Sequence, residues 1–242
     1  MVIKGVVEYD GTDFFGWQIQ KDRRTVQGVL KEALKTLFRD VAFRLIGASR
    51  TDAGVHAENQ VFSVHFDSDL QLDLNQLKRS LNAILPQDVY VKSLEPAPDD
   101  FHARFSAKSK VYRYRILDGK RSPLRSRYVW ELPYPLDEKI LSQCAELIKG
   151  EIDFSFLEMV KEKEDKRVRF YNAYWRREED EIVFYVEGSH FLYRLIRVLV
   201  GSMVYSFKKF GNIDFFQNFL EGSERKVIVA PAKGLTLLEV KY

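Results

Sequence analysis

Asp52 stands in the run Gly47-Ala48-Ser49-Arg50-Thr51-Asp52-Ala53-Gly54-Val55-His56-Ala57, a polar connection between two strand-like segments. Taken alone, an Asp-x-Gly in such a loop is ordinary turn chemistry. Its neighbours suggest more. Arg50 lies two residues before Asp52, and an aspartate beside an arginine is held as a carboxylate, the form a nucleophile requires. Small residues at 53 and 54 let another backbone approach closely. The chemistry on offer is covalent catalysis by a carboxylate.

Residues suited to other chemistries are few or badly spaced. A single cysteine, Cys144, excludes an internal disulfide and paired-thiolate zinc sites, and points to a reducing compartment. His56, His65, His102 and His190 lack ligand-like spacing and read as structural or RNA-contacting, so neither a metal nor a cofactor is expected. Trp17, Trp130 and Trp175 read as core or interface residues. Met1 leads straight into the strand-like Val2-Ile3-Lys4-Gly5-Val6-Val7, so no signal peptide is expected. The longest apolar stretch, 191–207, carries Arg194 and Arg197 and reads as a buried soluble helix rather than a membrane span. Burying arginine without an acidic partner is costly, so a carboxylate is expected nearby.

The net charge of +3 is unevenly placed. Residues 102–127 hold nine basic side chains against Asp118 alone, a net of +8 that leaves −5 on the rest of the chain. Lysines and arginines interleaved with tyrosines suit a polyanion, and RNA is the obvious one.

These groups need elements to hold them, and the apolar periodicity supplies two similar runs. In the first, a strand over 2–9 precedes a helix over 25–38 with Val26, Val29, Leu30, Ala33, Leu34, Leu37 and Phe38 at helical spacing. Strands near 43–48 and 61–66, a helix with Leu74, Leu77, Leu81 and Ile84 on one face, and a strand over 89–94 follow. In the second, a strand over 111–117 precedes a helix over 137–149 stopped by Gly150. Strands near 167–175 and 182–187, the long apolar helix from about 190, a short helix near 213–220 and a strand over 235–240 complete it. Each run reads strand-helix-strand-strand-helix-strand, the split βαβ pattern. The expectation is therefore α+β: two ferredoxin-like halves with helices packed on antiparallel sheets. The domains are drawn as 1–100, carrying the aspartate loop, and 101–242, carrying the basic segment and the arginine helix. Pro96-Ala97-Pro98-Asp99-Asp100 marks the boundary, on the ground that no element runs through it. The run Lys161-Glu162-Lys163-Glu164-Asp165-Lys166 reads as a solvated loop.

The aspartate loop resembles the Gly-x-x-x-Arg-Thr-Asp-Ala-Gly-Val-His signature of the tRNA pseudouridine synthase A family. Tyr9-Asp10-Gly11-Thr12-Asp13-Phe14-Phe15-Gly16-Trp17-Gln18 is similar to that family's opening motif. Phe101-His102-Ala103-Arg104-Phe105-Ser106-Ala107, followed by Tyr112-Arg113-Tyr114, is similar to its central one. Phe191-Leu192 with Arg197 and Gly201, then Ala230-Pro231 with Gly234-Leu235, resemble its C-terminal ones. The matches follow family order across nearly the whole chain. Leu195, Ile196 and Val198 depart from its usual residues around the helix arginine, and 157–169 is short and highly charged for it. The resemblance implies isomerisation of uridine to pseudouridine in the anticodon stem-loop of tRNA, at positions 38 to 40, by a cytoplasmic homodimer. It implies that Asp52 is the nucleophile, that Tyr112 contacts the target base, that Arg50 holds the displaced loop and that Arg197 pairs with Asp52 in a cleft between the halves. Attack at C6 of the base and at C1′ of the sugar both remain open. A silent RNA-binding protein is a rival reading, set against by the intact Arg50-Thr51-Asp52. A phosphatase of the haloacid-dehalogenase type, suggested by Asp10-Gly11-Thr12, has Glu8 where its nucleophile belongs and the wrong element order.

Overall fold

The computed structural model describes residues 1–68, 70–157 and 165–242. Residues 161–164 of the charged run read as a solvated loop thus lie outside the described residues. The chain folds as two compact units: 1–108 with 236–242, and 109–235. Ten strands and five α-helices are present among the described residues, a mixed α+β architecture.

In the first unit the elements run β1 (Val2–Tyr9), α1 (Val26–Leu37), β2 (Phe43–Gly47), β3 (His56–Phe66), α2 (Leu74–Ile84) and β4 (Val89–Ala97). Antiparallel pairing sets the order β4-β1-β3-β2. The apolar stripe read from sequence makes α1 a helix, and Thr25 starts it by accepting from Gly28 N–H. Asp73 caps α2 in the same way, bonding Asn75 and Gln76. Val26, Leu30, Leu34, Phe62, Val64, Leu81 and Val91 bury the inner faces.

β3 is the long central strand. Its far half pairs with β2, Gly47 standing opposite Phe62. Where β2 departs, the chain loops through 48–55 and returns as the start of β3. There His56 and Ala57 pair in parallel with Thr236 and Leu237 of the final strand, β10 (Leu235–Lys241). β4 continues through Pro96, which stands opposite Ile3, so an element does run through the proline-rich stretch. The physical reason is that β4 is an edge strand, where a missing N–H costs no ladder bond.

In the second unit β5 (Ser109–Asp118) pairs antiparallel with β9 (Glu181–Gly188), β9 with β8 (Arg167–Glu178), and β8 with β7 (Gly150–Asp153). A short β6 (Trp130–Leu132) runs parallel to the end of β5. Both β6 and β7 escape a periodicity reading because three or four residues are too few to show alternation. α3 (Glu138–Glu146) packs on β8, and α4 (Leu195–Phe210) packs on α3 and α5 (Asp214–Leu220). Tyr114, Ile116, Phe154, Trp175, Phe184, Phe216 and Phe219 are core residues. Arg194 does not lie on the apolar helix. It precedes α4 in a left-handed conformation, is exposed, and stacks on Tyr193, so only Arg197 meets the expected cost of burial.

Candidate active site

The loop that carries Asp52 is fixed at both ends and in the middle. At its start, the fully buried Gln60 bonds Ser49 twice, accepting from its N–H at 3.2 Å and donating to its carbonyl at 2.7 Å. At its end, His56 Nδ1 accepts from Gly11 N–H at 3.0 Å and lies 3.2 Å from a carboxylate oxygen of Asp10. Between them, the buried Thr51 hydroxyl meets the Tyr9 hydroxyl at 2.7 Å, and the Thr51 carbonyl accepts from Trp17 N–H at 3.1 Å. Gly54 N–H donates to the Phe14 carbonyl at 3.2 Å, and Val55 N–H turns back on the Asp52 carbonyl at 3.1 Å.

The buttress is therefore the segment from Tyr9 to Trp17, and Gly16 is where it touches most closely. Its φ is +85°, and a Cβ there would lie 2.5 Å from the Thr51 carbonyl oxygen and 3.0 Å from the Asp52 carbonyl carbon. Only glycine satisfies both demands. Trp17 is buried to 1% exposure and bears on Gly47, where the loop leaves β2. Asp52 itself is half-buried, while Ala53 beside it is exposed. Arg50 is exposed. Tyr9, Asp10 and Gln60 are the residues that reasoning from spacing missed, whereas Trp17 is the core residue it was read as and His56 has a structural bond to Gly11. Gly11 and Gly16 in the opening motif were the available signal.

In the second unit Tyr112 lies on β5, buried, with its ring edge-on to Phe191 at 5.3 Å. Tyr114 and Ile116 share its face of the strand and are fully buried. Burial pushes the Tyr114 phenol well above its ordinary pKa, with the charge of Arg197 opposing, and its hydroxyl donates to the Pro231 carbonyl at 2.6 Å. Arg197, half-buried on the first turn of α4, donates from Nε to the Ala230 carbonyl at 2.8 Å, and its own carbonyl accepts from Ala230 N–H. Gly201, one turn on, admits the segment that supplies these groups: a Cβ there would meet the Ile228 carbonyl oxygen at 2.3 Å. Tyr112, Tyr114, Arg197 and the 228–231 segment thus form one neighbourhood of this unit. A cavity of about 850 Å³ at the start of α3, lined by Leu136, Arg177 and Phe207 among others, includes neither Tyr112 nor Arg197 in its wall.

Much of the basic segment is spent internally. Arg115 grips Glu181 through two bonds, at 2.6 and 2.8 Å, and Arg125 grips Asp180 through two at 2.7 Å. The bonds from Arg125 hold the Asp180 carboxyl down at about 2. Arg121 is exposed and has no ion pair among the described residues. No group of three or more His, Cys, Asp or Glu side chains that could hold a metal occurs among the described residues. No helix among them is long and apolar enough to cross a membrane.

The fold is a mixed α+β framework in which a half-buried carboxylate stands on a loop locked by a neighbouring motif. Comparison makes the family specific. The chain matches the family profile described as tRNA pseudouridine synthase over residues 6–106 and 144–242. It is 40% identical to the tRNA pseudouridine synthase A of Geobacillus sp. (strain WCH70) over 244 residues, covering 99% of this chain and 98% of that protein. It is 37% identical to the protein of that name from Dictyoglomus thermophilum, covering 98% and 97%. The chain belongs to the tRNA pseudouridine synthase family, whose members are isomerases.

Proposed function

We propose that this chain isomerises uridine to pseudouridine in the anticodon stem-loop of tRNA, at positions 38 to 40, with Asp52 as nucleophile. The observation that carries the reading is the Asp52 loop, whose backbone is locked on both sides of a carboxylate that stays partly open to solvent. The isomerisation breaks the bond from C1′ to N1, turns the base and joins C1′ to C5, whose hydrogen leaves as a proton while the freed N1 takes one up. Nothing is oxidised or reduced, so the reaction as written calls for neither a redox cofactor nor a metal. Asp52 adds either to C6 of the base or to C1′ of the sugar, as a retaining glycosidase carboxylate does.

The other roles belong to the same proposal. Tyr112 contacts the target base, Arg50 holds the displaced loop, and Arg197 supplies the counter-charge of Asp52. Its exposed position is consistent with the part given to Arg50. Swinging a paired base out of a stem costs a few kcal/mol, which cationic and aromatic contacts offset. The proposal includes ferredoxin-like halves, the first bearing the aspartate loop and the second the basic segment and arginine helix, with the active-site cleft between them. It also includes a cytoplasmic homodimer, on the strength of the family.

The test is tritium release from tRNA carrying 5-tritiated uridine. Wild type should release tritium, and Asp52→Asn should bind tRNA within about threefold of wild type yet release none. Turnover by purified Asp52→Asn, freed of host enzyme, removes Asp52 from the role. A wild-type protein that binds tRNA and releases nothing is the silent RNA binder instead.

A further inference from the structure

The segment that buttresses the Asp52 loop also carries an exposed aromatic to which no role has yet been given. Phe15 lies between Phe14, whose carbonyl accepts from Gly54 N–H, and Gly16, which presses on the Thr51–Asp52 backbone. Its side chain is nonetheless 46% exposed. The guanidinium of Arg23, itself exposed, sits 4.4 Å from the centre of the ring and makes no ion pair among the described residues.

The loop bearing this pair is tied down throughout. Phe15 N–H donates to the Arg24 carbonyl at 2.8 Å, and Gln20 Nε2 donates to the Phe15 carbonyl at 2.9 Å. Phe14 is buried under Arg24, whose guanidinium lies 3.9 Å from the ring centre and grips Asp88 through two bonds at 2.8 Å. Arg24 is thereby spent, while Arg23 is not.

Single exposed apolar residues are common and need no explanation, and Tyr90, Phe105 and Phe210 are others in this chain. Phe15 differs in two ways. It is bonded through its own backbone neighbours to the loop of the proposed nucleophile, and it is paired with an uncommitted cation. A flat ring for a base and a guanidinium for a phosphate is the combination that binds unstacked nucleotides.

We propose that Phe15 and Arg23 form a nucleotide-positioning platform, with the ring stacking on a base next to the uridine that reacts and Arg23 meeting the adjoining phosphate. This rests on the reading of Asp52 as the nucleophile acting on tRNA. A base drawn out of a stem leaves its neighbours without a stacking partner, and an exposed ring carried on the segment that buttresses the Asp52 loop is proposed to replace it.

The experiment compares wild type, Phe15→Ala, Phe15→Trp and Arg23→Gln on a tRNA transcript, reading kcat/KM, tRNA affinity across salt, and thermal melting. Two further transcripts carry 2-aminopurine on the 5′ or the 3′ side of the target uridine. Loss of a base–aromatic stack should lower kcat/KM of Phe15→Ala by roughly 5- to 100-fold, with unchanged melting because the ring is exposed. Phe15→Trp should restore the rate to within about threefold, since indole stacks as well. Arg23→Gln should reduce the slope of log affinity against log salt by about one. One of the two probes should be dimmer bound to wild type than to Phe15→Ala. The platform is wrong if an active wild type is matched within about twofold by Phe15→Ala, if Trp fails to rescue, or if neither probe responds. A wild type that makes no pseudouridine while a probe still senses Phe15 would sink the isomerase reading and leave the platform standing.

Discussion

At the scale of single residues, the placing of Asp52 depends on groups that do no chemistry. Gly16 is the clearest case, because its positive φ and its contact with the Thr51 carbonyl leave no space for a methyl group. Gly16→Ala should cost roughly 1–3 kcal/mol for backbone strain alone, and relief requires the Thr51–Asp52 backbone to move. Misplacing a nucleophile, the part proposed for Asp52, by about 1 Å can cost on the order of 100-fold in rate. The expected result is a single-turnover rate depressed far more than tRNA affinity, in protein still folded at the assay temperature. A wild-type rate in Gly16→Ala would mean that the loop tolerates displacement and that the buttress is incidental.

Among the elements, β5, β8 and the entry to α3 in the second unit are joined at one buried carboxylate. Asp118, at the end of β5, accepts from Arg177 of β8 at 2.5 Å and from Leu136 N–H at 2.7 Å. Burial pushes its pKa up, but the bonds from Arg177 and Leu136 outweigh it and leave the carboxyl below its ordinary value. A depressed carboxylate pKa means that the unfolded chain takes up protons first as the solution is acidified. The pair's stabilisation is thus fully present above the ordinary carboxylate pKa and is lost as pH falls through the lowered folded value. Arg177→Met, which leaves Asp118 buried without its cation, should lower stability at neutral pH by about 1–3 kcal/mol. Urea unfolding from pH 7 down to roughly 3 should show the gap between variant and wild type closing with acid. A gap independent of pH would mean that lost packing, not the charge, accounts for it.

Over the whole molecule, charge has to be sorted into what stabilises the fold and what is left for a polyanion. Residues 102–127 carry +8, but Arg115 and Arg125 are engaged by Glu181 and Asp180 at the turn between β8 and β9. Arg121, on the same segment, is exposed. Arg121→Glu should therefore weaken tRNA binding and lower the salt slope by one or two without changing the melting temperature. Arg125→Glu should show its main effect in melting, because it sets three carboxylates together. Equal salt slopes for Arg121→Glu and wild type would place the RNA elsewhere on the molecule.

What could be read from the chain alone were features whose cause is local. The faces of α1 and α2 follow from helical spacing of apolar residues, and the strands from runs of β-branched and aromatic ones, so these lie close to where they were expected. The Asp52 loop and its small neighbours stood out because loop chemistry is written in consecutive residues. Features that depend on partners distant in sequence could not be read. Pro96 looked like a breaker because nothing local marks β4 as an edge strand. The last strand looked like a member of the second half, yet Thr236 and Leu237 pair with His56 and Ala57, across some 180 residues of chain. Tyr9 reaching Thr51, Gln60 doubling back on Ser49 and Arg125 closing on Asp180 are likewise pairings at long separation. Residue type says that a carboxylate can attack and that an arginine can bind phosphate. Whether a given one is held in place, or already engaged, is decided by which strands meet, because burial and hydrogen-bond partners exist only once the chain has closed on itself.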